Sequence, residues 1–95
     1  MKTAELTNAE IGVIQERRRQ IEIKGFDAEQ DDTYVNSELQ YAAMAYAFNR
    51  PELWPWPAST FKPTEKKRAL EKAAALLIAE IERITRYPKM VEDNG

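Results

Sequence analysis

Cysteine and histidine are both missing from this 95-residue chain. Without cysteine there is no disulfide and no thiolate chemistry. Without histidine the commonest general base and metal ligand is gone. A catalytic triad, a zinc site or a histidine proton shuttle cannot be built from what remains. Charge of one sign is lacking too, since 14 basic residues against 16 acidic leave a formal net charge of −2. No basic excess advertises a nucleic-acid partner, and no acidic excess resembles a DNA mimic. The longest apolar run, AAALLIA at 73–79, is far too short to span a bilayer. The opening MKTAELTNAEIG is polar and lacks the apolar core of a signal peptide. The expectation is a protein of the cytoplasm without a membrane partner.

The length supports one domain and not two. A chain of this size buries roughly 60–65% of its unfolded surface on folding. That leaves little surplus, so oligomerisation is a natural supplement.

What is present is helical periodicity in three segments. The first opens at Thr7, with Glu10 completing a capping box, and stops at Gly25. Ile11, Ile14 and Ile21 share one stripe, and Arg18 falls on it, while Arg17 and Arg19 point elsewhere. The second segment starts near Asn36 or Ser37, where Ser37 with Gln40 forms another capping-box pattern, and ends at Asn49-Arg50-Pro51. Leu39, Ala42, Ala43 and Tyr46 make its apolar face, and its alanines admit a second backbone closely. The third segment has its start signal at Pro63-Thr64-Glu65. Leu70, Ala73, Ala74, Leu77, Ile81 and Ile84 form a seam ending near Tyr87-Pro88. Between the segments lie an acidic loop, GFDAEQDDTYV, and a proline-stiffened one, RPELWPWPASTFKP. The reading is an all-α, three-helix domain over residues 1–88 with a frayed tail at 89–95, assembled as an oligomer.

Four features bear on chemistry. Arg18 on an apolar stripe needs a partner, because an isolated buried charge costs several kcal/mol. Asp31, Asp32 and Glu38 are available, as a structural ion pair or as the floor of a pocket facing an anion. The same three carboxylates could instead hold magnesium, or cap a helix and satisfy its dipole. Both tryptophans, Trp54 and Trp56, lie in the Trp-Pro loop, which is either a strap over the core or a stacking platform for a flat ligand. Lys62 and Arg50 would supply its charge. Lys66, Lys67 and Arg68 open the third helix, as a solvated face or, with its free amides, as a phosphate site.

In order along the chain, ERRRQ, KGF, DDTY, SELQYAAMAYA, WPWP, FKP and KKRALEKAAALLIAEIERITR resemble a family of small phage and prophage proteins. The family pattern runs E-R-x-R-Q, E-G-W, H-D-D, G-E-L-x-x-A-A-x-x-Y-A, W-P-W, W-K-P and K-A-x-A-L-x-x-A-E-I-x-R. The likeness covers residues 16–86 and falls on Glu16, Arg17, Arg19, Gln20, Gly25, Asp31, Asp32, Glu38, Tyr46, Trp54, Trp56, Lys62, Arg68 and Lys72, among others. Gln30, Phe26 and Ser37 stand where the pattern has histidine, tryptophan and glycine. The resemblance implies a phage-encoded accessory protein working in a bacterial cytoplasm, and analogy with other small phage proteins in that setting adds the expectation that it blunts host defences.

Three functions follow as expectations. The first is a binding protein that sequesters a small nucleotide-like signal, without cofactor, metal or catalytic residue. Its ligand residues would be Arg17, Arg18, Arg19, Gln20, Asp31, Asp32, Glu38, Trp54, Trp56, Lys62 and Arg68, in a pocket that a homo-oligomer helps to enclose. The second is a protein–protein inhibitor of a host defence enzyme, which requires exposed tryptophans. The third is a magnesium-dependent all-α nucleoside-phosphate hydrolase using Asp31, Asp32, Glu38 and Glu80.

Overall fold

A computed structural model describes residues 5–86. Four α-helices follow in order: α1 (Asn8–Glu22), α2 (Ala28–Asp31), α3 (Glu38–Phe48) and α4 (Lys66–Arg86), with single 3-10 turns at Pro51–Leu53 and Ala58–Thr60. No strand occurs among the described residues. The fold of the described residues is all-α, with a fourth helix, α2, inside the segment expected to be an acidic loop. Asp27 creates it, since its carboxylate accepts from the Gln30 amide at 2.9 Å and nucleates one turn in the acidic segment. The predicted stop at Tyr87-Pro88 and the tail at 89–95 lie outside the described residues.

Local signals set the helix ends. At α1, Thr7 Oγ1 accepts from the Glu10 amide while the Glu10 carboxylate accepts from the Thr7 amide, so the capping box is closed. Gly25 follows in the left-handed region with φ +80°. At the end of α3, Asn49 is left-handed, and the Asn49 and Arg50 amides donate to the Tyr46 and Ala45 carbonyls at 3.3 and 2.9 Å. This is a Schellman ending with Pro51 just beyond it. The start of α3 differs from expectation. Ser37 is left-handed and makes no side-chain cap; Glu38 instead accepts from the Asn36 amide at 2.8 Å.

The core is the α3–α4 seam. Leu39, Ala42, Ala43 and Tyr46 are buried, as their spacing predicts, against Ala69, Ala73, Leu76 and Ala79. Facing alanines let the two backbones approach closely, and Leu39 and Leu76 fill the seam. The α4 seam holds only in part. Ala73 is buried and Leu77 packs against the core, but Leu70 and Ile81 are 45% and 61% exposed, and Leu76, Ala79, Glu80 and Arg83 turn inward instead. The buried stripe is narrow and alanine-rich, and the Glu80–Arg83 pair satisfies itself within one turn, with hydrogen bonds of 3.0 and 2.9 Å.

Helix α1 is turned the opposite way from its isoleucine stripe. Ile11 and Ile14 are exposed, as is Arg18, whereas Glu16, Arg17 and Gln20 are buried. The expectation that Arg18 faces inward and Arg17 outward is therefore corrected. The reason is partner supply. Glu16 binds Arg19 on its own helix and Arg68 on α4, and Gln20 donates to Glu16 and to the Lys72 carbonyl. Arg17 donates to Glu82 at 2.9 Å, to the Phe26 carbonyl at 3.0 Å and to Asp31 at 3.4 Å. These paired charges hold α1 against α4 and α2 in place of apolar burial, although Arg17 Nε, Gln20 Oε1 and Asp31 Oδ1 are buried without a hydrogen-bond partner.

Candidate functional site

Three elements supply most of the lining of a half-open groove of about 880 Å³. The C-terminal half of α1 and the turn after it supply Glu16, Arg19, Gln20 and Lys24; α4 supplies Lys72 and Leu76; the Trp-Pro loop supplies Trp54, Trp56, Thr60 and Lys62. Phe26, Tyr34 and Tyr46 complete the wall. The volume lies toward the upper end of the range of roughly 300–1,000 Å³ common for small-molecule sites.

The aromatic wall is one connected set of rings. Trp54 meets Tyr46 edge-on at 5.5 Å, Phe61 at 5.3 Å and Trp56 at 5.0 Å. Trp56 in turn lies 5.6 Å from Phe26 and 5.1 Å from Tyr34. Trp54 Nε1 donates to Thr60 Oγ1 at 2.9 Å, and the Thr60 hydroxyl donates to the Pro57 carbonyl. Both indoles are half-buried, so each serves at once as core lid and cavity wall. Prolines on either side fix the loop backbone, which presents these rings with little entropy left to lose.

The charged wall is cationic. Arg19, Lys24, Lys62 and Lys72 face Glu16 alone among the carboxylates of the described lining. Burial by itself would raise the Glu16 carboxyl, but the hydrogen bonds and charges of Arg19 and Arg68 prevail and hold it at about 2. Glu16 is thus an anion at any physiological pH and is fully occupied by its arginines. Lys72 is half-buried with Nζ 5.5 Å above the Tyr46 ring. The Tyr46 hydroxyl accepts from the Lys62 amide at 3.4 Å, and burial pushes its pKa up, so it stays neutral.

The structure brings five of the predicted ligand residues, Arg19, Gln20, Trp54, Trp56 and Lys62, to this cavity. Arg68 stands behind the wall, bonded to Glu16 and Glu71. Arg17 and Asp31 form the buried pair between α1 and α2. Asp32 pairs with Arg86 at 2.7 Å, Glu38 holds the Asn36 amide, and Arg18 projects into solvent. No group of three acidic residues able to hold a metal occurs among the described residues. The phosphate site imagined at the start of α4 is taken by Glu65, which accepts from the Lys67 and Arg68 amides. Sequence reasoning missed Lys72, Phe26 and Tyr34 as wall residues. Lys72 carried a local signal, one helical turn beyond Arg68 on the side of α4 that meets α1.

No helix among the described residues is long and apolar enough to cross a membrane. Compared with protein-family models, curated proteins and solved structures, the chain matches none.

Proposed function

We propose that this protein binds a small nucleotide-like anion in the cavity between α1, α4 and the Trp-Pro loop, and acts by sequestering it. One observation carries the reading: a single concave space joins a preorganised aromatic wall to a surplus of cations. Aromatic faces suit a base, at roughly 1–3 kcal/mol for each stacking contact. Lysine and arginine suit phosphate. Nothing among the wall residues resembles a catalytic pair, which favours retention of the ligand over its turnover. The resemblance to small phage proteins supplies the setting, a counter-defence protein that removes a host signal in the bacterial cytoplasm.

The two competing readings have less support. A protein–protein inhibitor would offer its tryptophans to solvent, yet both are half-buried among other rings. A magnesium hydrolase would converge its carboxylates, yet Asp31, Asp32 and Glu80 are each bonded to a separate arginine.

Self-association belongs to the same proposal, because Ile11, Ile14, Leu70 and Ile81 leave apolar surface on the outside of α1 and α4. Sedimentation of Ile81→Glu against the native chain tests that part. A native chain that sediments as a monomer would remove it.

The binding reading is tested by thermal melting against linear and cyclic nucleotides. Ligand at about a hundred times its Kd adds roughly 2.7 kcal/mol, several degrees for a domain of this size. One nucleotide class should shift the midpoint, and Trp56→Ala should abolish the shift. A panel in which no nucleotide moves it would sink the proposal.

A further inference from the structure

The cavity has a polarity along its length. At one end Lys72 lies over Tyr46, and from Tyr46 the ring contacts run through Trp54 and Trp56 to Phe26 and Tyr34. The Lys72 ammonium therefore stands at the Tyr46 end of the aromatic chain, with Trp56, Phe26 and Tyr34 at the other.

None of the lining lysines, Lys24, Lys62 and Lys72, is in an ion pair among the described residues, and Lys72 is the one that is half-buried. Arg19 is bonded bidentately to Glu16, whereas no carboxylate of the described residues pairs with Lys72. Burial lowers its pKa, and although Glu16 draws it back up, the charges of Arg19, Arg68 and Lys24 oppose that. A half-buried ammonium repelled by three neighbouring cations is unfavourable until an anion arrives. The surplus is larger than one charge. Glu16 is taken up by Arg19 and Arg68, which leaves Lys24, Lys62 and Lys72 without a carboxylate in the lining.

We infer, resting on the binding reading above, that Lys72 holds the ligand's phosphate, so the pocket selects nucleoside phosphates bearing two or more negative charges over nucleosides and monoanionic esters. The base would lie toward Trp56, Phe26 and Tyr34, and the phosphate would complete the bonding of Lys72 beside Arg19 and Lys62. The ammonium is a compact charge on a flexible stem already fixed over a ring, so binding costs it little further ordering.

The test is a calorimetric series of nucleoside, 5′-monophosphate, 5′-triphosphate and 3′,5′-cyclic monophosphate for each of four bases, on the native chain, Lys72→Met and Lys72→Arg. Methionine keeps the apolar stem over Tyr46 and removes the charge. On the native chain, affinity should rise about tenfold or more from nucleoside to dianionic phosphate, as charge-assisted hydrogen bonds require. Lys72→Met should abolish that step while leaving nucleoside affinity within about twofold, and Lys72→Arg should restore most of it. A step that survives in Lys72→Met would overturn the inference and leave the binding reading intact. Absence of binding by every nucleoside and nucleotide would overturn both. Pyrophosphate competition on the native chain gives an answer even where Lys72→Met does not fold. Pyrophosphate should displace the triphosphate, and failure to displace it refutes a phosphate site at Lys72.

Discussion

Arg17 and Asp31 form a buried pair whose members are not equivalent. Arg17 keeps two other acceptors, Glu82 and the Phe26 carbonyl, if Asp31 is neutralised. Asp31 is completely buried, its second oxygen already lacks a hydrogen-bond partner, and Arg17 is its one ion-pair partner among the described residues. Removing Arg17 strands a buried carboxylate, and removing one partner of such a pair typically costs about 3–5 kcal/mol. In urea melts at pH 7 Arg17→Leu should therefore lower the unfolding free energy sharply, while Asp31→Asn should change it by less than about 1 kcal/mol. Equal losses in the two variants would show that the pair acts as a symmetric bridge. This asymmetry was beyond reach from the sequence. Arg17 and Arg18 are neighbours of identical type, and what distinguishes them is Asp31, 14 residues on, and Glu82, 65 residues on.

At the scale of elements, the limits of α1, the end of α3 and the face of α3 were legible, whereas the start of α3 and the faces of α1 and of much of α4 were not. Thr7, Gly25, Asn49 and Pro51 act within a few residues of where they stand, so the limits of α1 and the end of α3 could be read directly. The four-residue α2 was missed because it is held by one aspartate cap and has no periodicity to display. The facing of α1 was missed because an isoleucine stripe was weighed against charges whose partners lie on other elements. The cavity shares that difficulty: the tryptophans and Lys62 announced themselves by composition, whereas Lys72 acquires its role from the helix placed opposite it. If polar bonds hold α1 in place, a small change to them should release that helix alone. Glu16→Gln removes the charge shared by Arg19 and Arg68, and amide hydrogen exchange should accelerate at least tenfold across α1 while the α3–α4 seam keeps its protection. Uniform acceleration in all helices would mean that α1 and the seam open as one unit.

The whole molecule carries two carboxylates with opposite pH dependence. Burial raises Asp31 from 3.8 to about 6, with the attraction of Arg17 offsetting only part of it. Between these values the folded chain holds a proton that the unfolded chain has lost, so acidification from pH 7 to about 5 adds stability. Glu16 has the reverse sign. Its pKa falls from 4.5 to about 2 on folding, so its contribution is complete above pH 4.5 and is lost as pH falls toward 2. Stability should peak near pH 5, above its value at pH 7, and fall on further acidification. Urea melts from pH 3 to pH 8 measure this directly. Asp31→Asn should flatten the limb between pH 5 and pH 7 and spare the acid limb; an unchanged profile would remove Asp31 as its source.

The polar docking of α1 also sets an order of events in time. The α3–α4 seam needs one modest loop closed, whereas α1 must find Arg68 and Glu82, 52 and 65 residues away along the chain. Loop closure costs more for the longer separations, so contacts of that range are the slower ones to form. Leu39→Ala should therefore slow folding, whereas Glu16→Gln should mainly quicken unfolding. Because α1 is also a wall of the cavity, a folding order in which α1 docks last would complete the pocket in its final step. A ligand lodged there would act as a brake on the reverse step, lengthening the lifetime of the native chain against proteases while leaving its rate of formation almost untouched.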